Sequence, residues 1–123
     1  VLQGDKYLIN GSKTFITNGV YADYYIVAAK TDPAAGNKGI SIFLMDANAK
    51  GVSKSKLDKL GWRASDTAEI SFDQVEVPVT NLMGEAGKGF PYIMQHFALE
   101  RLIMAINAHA RADYAIDYTI EYM

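Results

Sequence analysis

The chain has 123 residues, half of them hydrophobic and 21% charged, with a net charge of −2 and no cysteine. That length and composition suit a globular domain with a real core and exclude a disordered chain. They also exclude disulfides and thiolate metal sites, and leave no electrostatic basis for binding nucleic acid or an acidic membrane. The absence of cysteine favours an intracellular location. No uninterrupted apolar run approaches the length of a membrane span.

In chain order, residues 1 to about 80 read as β-structure. Gly4-Asp5 is a turn signal. Lys6 to Ile9 leads to Asn10-Gly11, Ser12 to Thr17 leads to Asn18-Gly19. Asn-Gly between apolar runs signals a hairpin with a type I′ turn, because both residues tolerate positive φ. Tyr24 to Ala29 is a continuous apolar run, which predicts a strand covered on both faces. Thr31 to Lys38 contains Asp-Pro and Gly-Asn and reads as an exposed loop. Ile40 to Met45 is a second apolar strand, and Val52 to Leu57 alternates with lysine as an edge strand does. Ile70-Ser71-Phe72 and Val75-Glu76-Val77 alternate with period two until Pro78 ends the sheet.

After Gly84, Gly87 and Gly89 the pattern changes to helix. Leu99, Ile103, Ile106, Ala110 and Tyr114 fall on one face, and Ala105, Ala108, Ala112 and Ala115 on a second, small-residue face. A helix apolar on two sides has to be sandwiched between partners. Asp113, Asp117 and Glu121 mark a solvated acidic face. The fold class expected is therefore α+β: a small antiparallel β-barrel or sandwich at residues 1–86, then a long C-terminal α-helical segment at 87–123. Neither end carries the signals that normally bound a domain, so the chain is expected to be a piece of a longer protein. His96 and His109 lack partners at metal-ligand spacing, and Gly87-Lys88-Gly89 fits no phosphate-loop pattern, which leaves a flexible hinge.

Three stretches occur in order: "GDKYLINGSKTFITNG", "LGWRASDTAEISFDQVEVP" and "GKGFPYIMQHFALERLIMA". Together they resemble the acyl-CoA dehydrogenase family of flavoproteins. The resemblance implies a middle β-domain followed by the first helix of a truncated C-terminal four-helix domain. It implies FAD as cofactor and an acyl-CoA thioester as substrate. A proton leaves the α-carbon and a hydride passes from the β-carbon to flavin N5, giving the trans-2-enoyl-CoA. It further implies an electron-transferring flavoprotein as partner and a homotetrameric parent. The location implied is the cytoplasm in a bacterium or the mitochondrial matrix in a eukaryote.

Two groups of residues are singled out. An aromatic, an aliphatic and a hydroxyl in succession, Phe15-Ile16-Thr17, can give a flavin both an apolar surface and a polar group at its edge. By local pattern alone the same residues are a strand end whose side chains fill a core. The resemblance implies that Thr17 bonds near flavin N5, with Phe15 and Ile16 beside the ring. Many relatives carry Trp where Phe15 stands. On the helix, Glu100 lies between Leu99 and Leu102, and a carboxylate beside apolar walls has a raised pKa suited to a general base. A surface ion pair, or a first-turn glutamate favoured by the helix dipole, is the plainer interpretation. The resemblance implies that Glu100 is the catalytic base, as in isovaleryl- and long-chain-type members, and that Arg101 binds the CoA part. Ala98 stands where many relatives have a CoA-binding aspartate. Phe97 is a candidate for the acyl channel. Arg63 and Ser65 are expected to fix a turn.

Other functions compatible with these residues are an acyl-CoA oxidase or flavin monooxygenase of the same fold, and a non-catalytic β-barrel binding module. In the last case Glu100 and Arg101 would be exposed and Thr17 would face no cavity. The isolated segment is expected neither to retain FAD nor to turn over acyl-CoA.

Overall fold

The computed structural model describes residues 1–123. In chain order the elements are β1 (Leu2–Gln3), β2 (Lys6–Thr17), β3 (Tyr24–Lys30), a 3-10 segment (Pro33–Gly39), β4 (Ile40–Asp46), β5 (Val52–Lys56), β6 (Thr67–Pro78), a 3-10 turn (Val79–Asn81), β7 (Leu82–Met83) and α1 (Gly89–Tyr122). The chain divides into two compact units, Val1–Gly89 and Phe90–Met123.

The first unit is two open antiparallel sheets, not a closed barrel. One has the order β1-β2-β6-β5 and the other β3-β4-β7. Their facing sides form the core: Ile9, Ala68, Ile70, Phe72, Val75 and Val77 from the first sheet meet Tyr25, Val27, Phe43 and Met45 from the second. The Tyr7 and Phe43 rings pack across the core with centroids 4.9 Å apart, tilted by 60°, a favourable arrangement of ring edge against ring face.

Neither Asn-Gly pair makes the hairpin expected of it. β2 runs unbroken through Asn10-Gly11 and pairs with β6, some sixty residues away along the chain, from Lys6↔Pro78 to Thr17↔Thr67. The register steps between Ile9↔Val75 and Gly11↔Phe72, so Asp73 and Gln74 together face Asn10. That extra residue is a β-bulge. Gln74 sits at φ 50, and Asn10 Oδ1 accepts from its backbone N and its Nε2, each at 2.8 Å. The bulge also reverses the phase of the strand, which is why Ile70 and Phe72, then Val75 and Val77, all reach the core. Asn18-Gly19 is a turn between the two sheets, not a hairpin within one.

β3 is covered on one face only within this chain. Tyr25 and Val27 are buried while Tyr24 and Ile26 are exposed, Ile26 at 69%. Ile26 pairs with Leu44, which is also exposed, so the outer side of this sheet is apolar. The continuous apolar run thus holds two faces, one of them open here. β5 is a sheet edge as its lysines suggest, and Thr31 to Lys38 is an exposed segment started by Asp32, whose Oδ1 accepts from Ala34 N at 3.0 Å. Gly87 is packed rather than loosely hinged. It adopts φ 77, its N donates to Ser41 Oγ at 2.9 Å, and a Cβ there would run into the Lys38 carbonyl oxygen.

The second unit is helix α1, most of whose apolar residues stay open: Leu99, Leu102, Ile103, Met104 and Ile106 are all exposed. On the acidic face, Asp113 pairs with His109 at 2.9 Å. No helix is long and apolar enough to cross a membrane.

Phe43 is almost fully buried at the centre of the first unit. Phe43→Ala is expected to cost about 3–5 kcal/mol, read as a lower denaturation midpoint with an unchanged slope. A cost below about 1 kcal/mol would show that the two sheets do not close on this ring.

Candidate functional site

The segment Phe15-Ile16-Thr17 ends β2, and a second bulge shapes it. Pairing steps from Lys13↔Ile70 to Ile16↔Ala68, so Thr14 and Phe15 together face Glu69. The extra residue turns the backbone over. Phe15 takes φ 61, a left-handed conformation that a bulky residue adopts only under constraint. The consequence is a split in direction. Phe15 is 77% exposed and Thr17 is exposed, while Ile16 between them packs against the core.

The turn that follows is held at nearly every backbone polar group. Asn18 adopts φ 58, and its N donates to the Asp66 carbonyl oxygen at 3.2 Å. Gly19 N donates to Ile16 O at 3.2 Å, and the Tyr25 hydroxyl donates to Gly19 O. Val20 N donates to Asp66 Oδ2 at 2.6 Å. Lys54 Nζ lies 3.4 Å from Val20 O and 3.1 Å from Asn48 Oδ1, and 5.6 Å from the centre of the Tyr25 ring. Gly19 is required for space: a Cβ would come within 2.7 Å of Ala68 Cβ and 2.9 Å of Ile16 O.

Sequence reasoning missed Asp66. It is only 2% exposed. Its Oδ1 is buried without a partner, a costly arrangement for a carboxylate. The signal was present in the "RASDT" turn, but nothing local says that its acidic member reaches back 46 residues to Val20.

The helix residues stand together within α1. Arg101 lies with its guanidinium 5.8 Å from the Phe97 ring centre, as residues four apart on a helix do. Phe97, Glu100 and Arg101 are exposed. The apolar walls expected beside Glu100 are not closed within this chain, because Leu99 and Leu102 are open as well. A cleft of ≈ 490 Å³ between the two sheets is lined by Tyr7, Ile9, Lys13, Val27, Lys30 and Phe43 among others, and by none of Phe15, Ile16 or Thr17. No group of three His, Cys, Asp or Glu side chains is placed to hold a metal ion.

An exposed aromatic face, a core-anchored aliphatic and an exposed hydroxyl, presented on a rigid turn, are what a flat heteroaromatic cofactor requires of a protein edge. The residues therefore fit a flavin. The family model "Acyl-CoA dehydrogenase, middle domain" matches residues 1–75. The chain belongs to the acyl-CoA dehydrogenase family. It is 46% identical over 124 residues to a short-chain specific acyl-CoA dehydrogenase of Clostridium acetobutylicum, covering 100% of this chain and 33% of that protein. It is 42% identical over 123 residues to a cyclohex-1-ene-1-carbonyl-CoA dehydrogenase of Geobacter metallireducens, covering 99% and 32%. Among solved structures, an acyl-CoA dehydrogenase from Geobacillus kaustophilus superposes with a TM-score of 0.81 at 48% identity, over 85% of this chain and 28% of that one. The chain thus spans about a third of the length of the curated relatives it matches.

The left-handed Phe15 gives a direct test of whether its ring serves the fold or a ligand. Phe15→Gly removes an exposed ring and relieves the backbone. In the complete protein it is expected to leave thermal stability unchanged or raise it by up to about 1 kcal/mol, while weakening flavin retention on a desalting column. A stability loss above about 2 kcal/mol would mean that the ring packs into the fold.

Proposed function

We propose that the complete protein is an FAD-dependent acyl-CoA dehydrogenase that converts an acyl-CoA thioester to its trans-2-enoyl-CoA. The observation that carries this proposal is the strained, outward Phe15 beside an exposed Thr17 at the end of β2, ahead of a turn clamped by Asp66, in a chain of this family. Strain of this kind persists where the surrounding structure enforces it, and it clusters at functional positions.

The roles follow from the chemistry of each side chain. Phe15 offers an aromatic face to the isoalloxazine, and Ile16 ties that face to the core. Thr17 has a hydroxyl able to donate to the ring edge near N5, where it fixes orientation and tunes the electronics. When bound, the flavin supplies the acceptor for the β-hydride. Glu100 is the base that takes the α-proton of the thioester. A carboxylate suits that task once surrounding helices withdraw it from water, because desolvation raises its affinity for a proton. Arg101 carries a permanent cation suited to the phosphates of CoA, and Phe97, on the same helix face, lines the acyl channel.

Exposure of Glu100 and Arg101 in this chain is also what a non-catalytic binding module would show. The family relationship favours the enzyme, since two thirds of each matched relative lies outside the aligned stretch and the open apolar faces of α1 call for covering helices. Two relatives of nearly equal identity are named for different acyl groups, so the residues shared here support the reaction class and not one acyl chain. An electron-transferring flavoprotein as electron acceptor, a tetrameric assembly, and a place in the bacterial cytoplasm or the mitochondrial matrix complete the proposal.

Glu100→Gln in the complete protein keeps the size and polarity of the side chain and removes the base. It is expected to lower the rate of flavin bleaching by acyl-CoA at least about a thousandfold, with the yellow cofactor still bound. Bleaching within about tenfold of the unaltered rate would place the base elsewhere.

A further inference from the structure

We propose that Asp66 is a positioning residue for the flavin-facing segment: its buried carboxylate locks the Asn18–Val20 turn and so sets the direction of Thr17. This rests on the assignment of Thr17 to the flavin edge. Asp66 is joined to the turn twice, through its carbonyl oxygen to Asn18 N at 3.2 Å and through Oδ2 to Val20 N at 2.6 Å. The second bond is charge-assisted and short, hence stiff. It ties the start of β6 to the turn that leads out of the first sheet, since Asp66 immediately precedes β6 and Val20 lies between β2 and β3. Thr17 itself pairs with Thr67, the residue after Asp66. The backbone at Thr17 is therefore held across the strand and through the turn that follows it by one short stretch of chain, Asp66-Thr67.

Neighbouring groups complete the lock without duplicating it. The Tyr25 hydroxyl reaches Gly19 O and Lys54 reaches Val20 O, so the carbonyls of the turn are held from the second sheet and from β5. Only Asp66 holds the Val20 amide. A carboxylate is a costly choice for that role, because Oδ1 stays buried without a partner, whereas a neutral acceptor would carry a smaller desolvation cost. A positioning role accounts for the choice: a stiffer bond fixes a reacting edge to within the fraction of an ångström that such sites need.

The test uses the complete, flavin-loaded protein and three variants: Asp66→Ala, Asp66→Asn and Thr17→Ala. Two signals are read, amide hydrogen exchange at Asn18–Val20 and the position of the flavin absorbance band. Asp66→Ala is expected to speed exchange at Val20 by at least about tenfold and to shift the band in the same direction as Thr17→Ala. The Asp66→Ala/Thr17→Ala double variant is expected to shift it no further than the larger single change, because both act through one hydroxyl. Asp66→Asn keeps an acceptor oxygen but loses the charge, and is expected to give exchange and a band position between those of the unaltered protein and Asp66→Ala. A purely structural role would give faster exchange with an unmoved band, or band shifts that add, and either result overturns the proposal. Unchanged exchange at Val20 overturns the lock while leaving the Thr17 assignment intact. A band unmoved by Thr17→Ala overturns that assignment and the positioning role with it. If Asp66→Ala does not fold, Asp66→Ser, whose hydroxyl falls short of Val20, carries the same two signals.

Discussion

The antiparallel pairing of β2 with β6 is the constraint from which the rest of the first unit follows. It joins residues 6–17 to residues 67–78, so the loop it closes contains β3, β4 and β5. Closing a loop of that length carries a large entropic cost, which the buried row of Ile9, Ile70, Phe72, Val75 and Val77 offsets. Once this pair is in register, β5 has an edge to join, the second sheet has a face to cover, and the turn after Thr17 falls beside Asp66.

The pairing is not regular, and its irregularities are what make a site possible. The bulge at Gln74 reverses the phase of β6 so that both halves of the strand face the core. The bulge at Thr14–Phe15 does the opposite for β2: it throws an aromatic ring outward while Ile16 stays in the core. A regular strand keeping the phase of Tyr7 and Ile9, which face the core, would turn Phe15 and Thr17 inward and Ile16 outward; the bulge reverses that phase. The left-handed backbone at Phe15 costs on the order of 1–2 kcal/mol and is held by the flanking pairs Lys13↔Ile70 and Ile16↔Ala68, while Asn18, a residue that tolerates this region, is held by the bond from its N to the Asp66 carbonyl oxygen.

Much of this was legible in the sequence, for identifiable reasons. Period-two runs and Pro78 marked the β6 strand to its last residue, and lysines marked β5 as an edge. The glycines and the four-residue apolar spacing located α1. The two hairpins that did not form and the overlooked Asp66 share one cause. Asn10-Gly11 and Asn18-Gly19 announce positive φ, but positive φ serves a bulge or an inter-sheet turn as well as a hairpin. Which one forms depends on a partner strand far along the chain, and local pattern carries no information about it. Asp66 was invisible for the same reason, since its role lies in a contact across 46 residues. The covered strand expected at Tyr24 to Ala29 failed differently: the apolar run does have two faces to bury, and this chain supplies a cover for one.

Under the proposed function the end of β2 holds a flavin edge, with Thr17 as the polar contact. The most direct measurement is a crystal structure of the complete protein with its cofactor bound. Thr17 Oγ1 is expected at hydrogen-bond distance from N5 or its neighbouring oxygen, about 2.7–3.2 Å, with the Phe15 ring against the isoalloxazine and the Asp66–Val20 bond retained. A flavin ring lying more than about 6 Å from Thr17, beyond direct contact or a single bridging water, would contradict it.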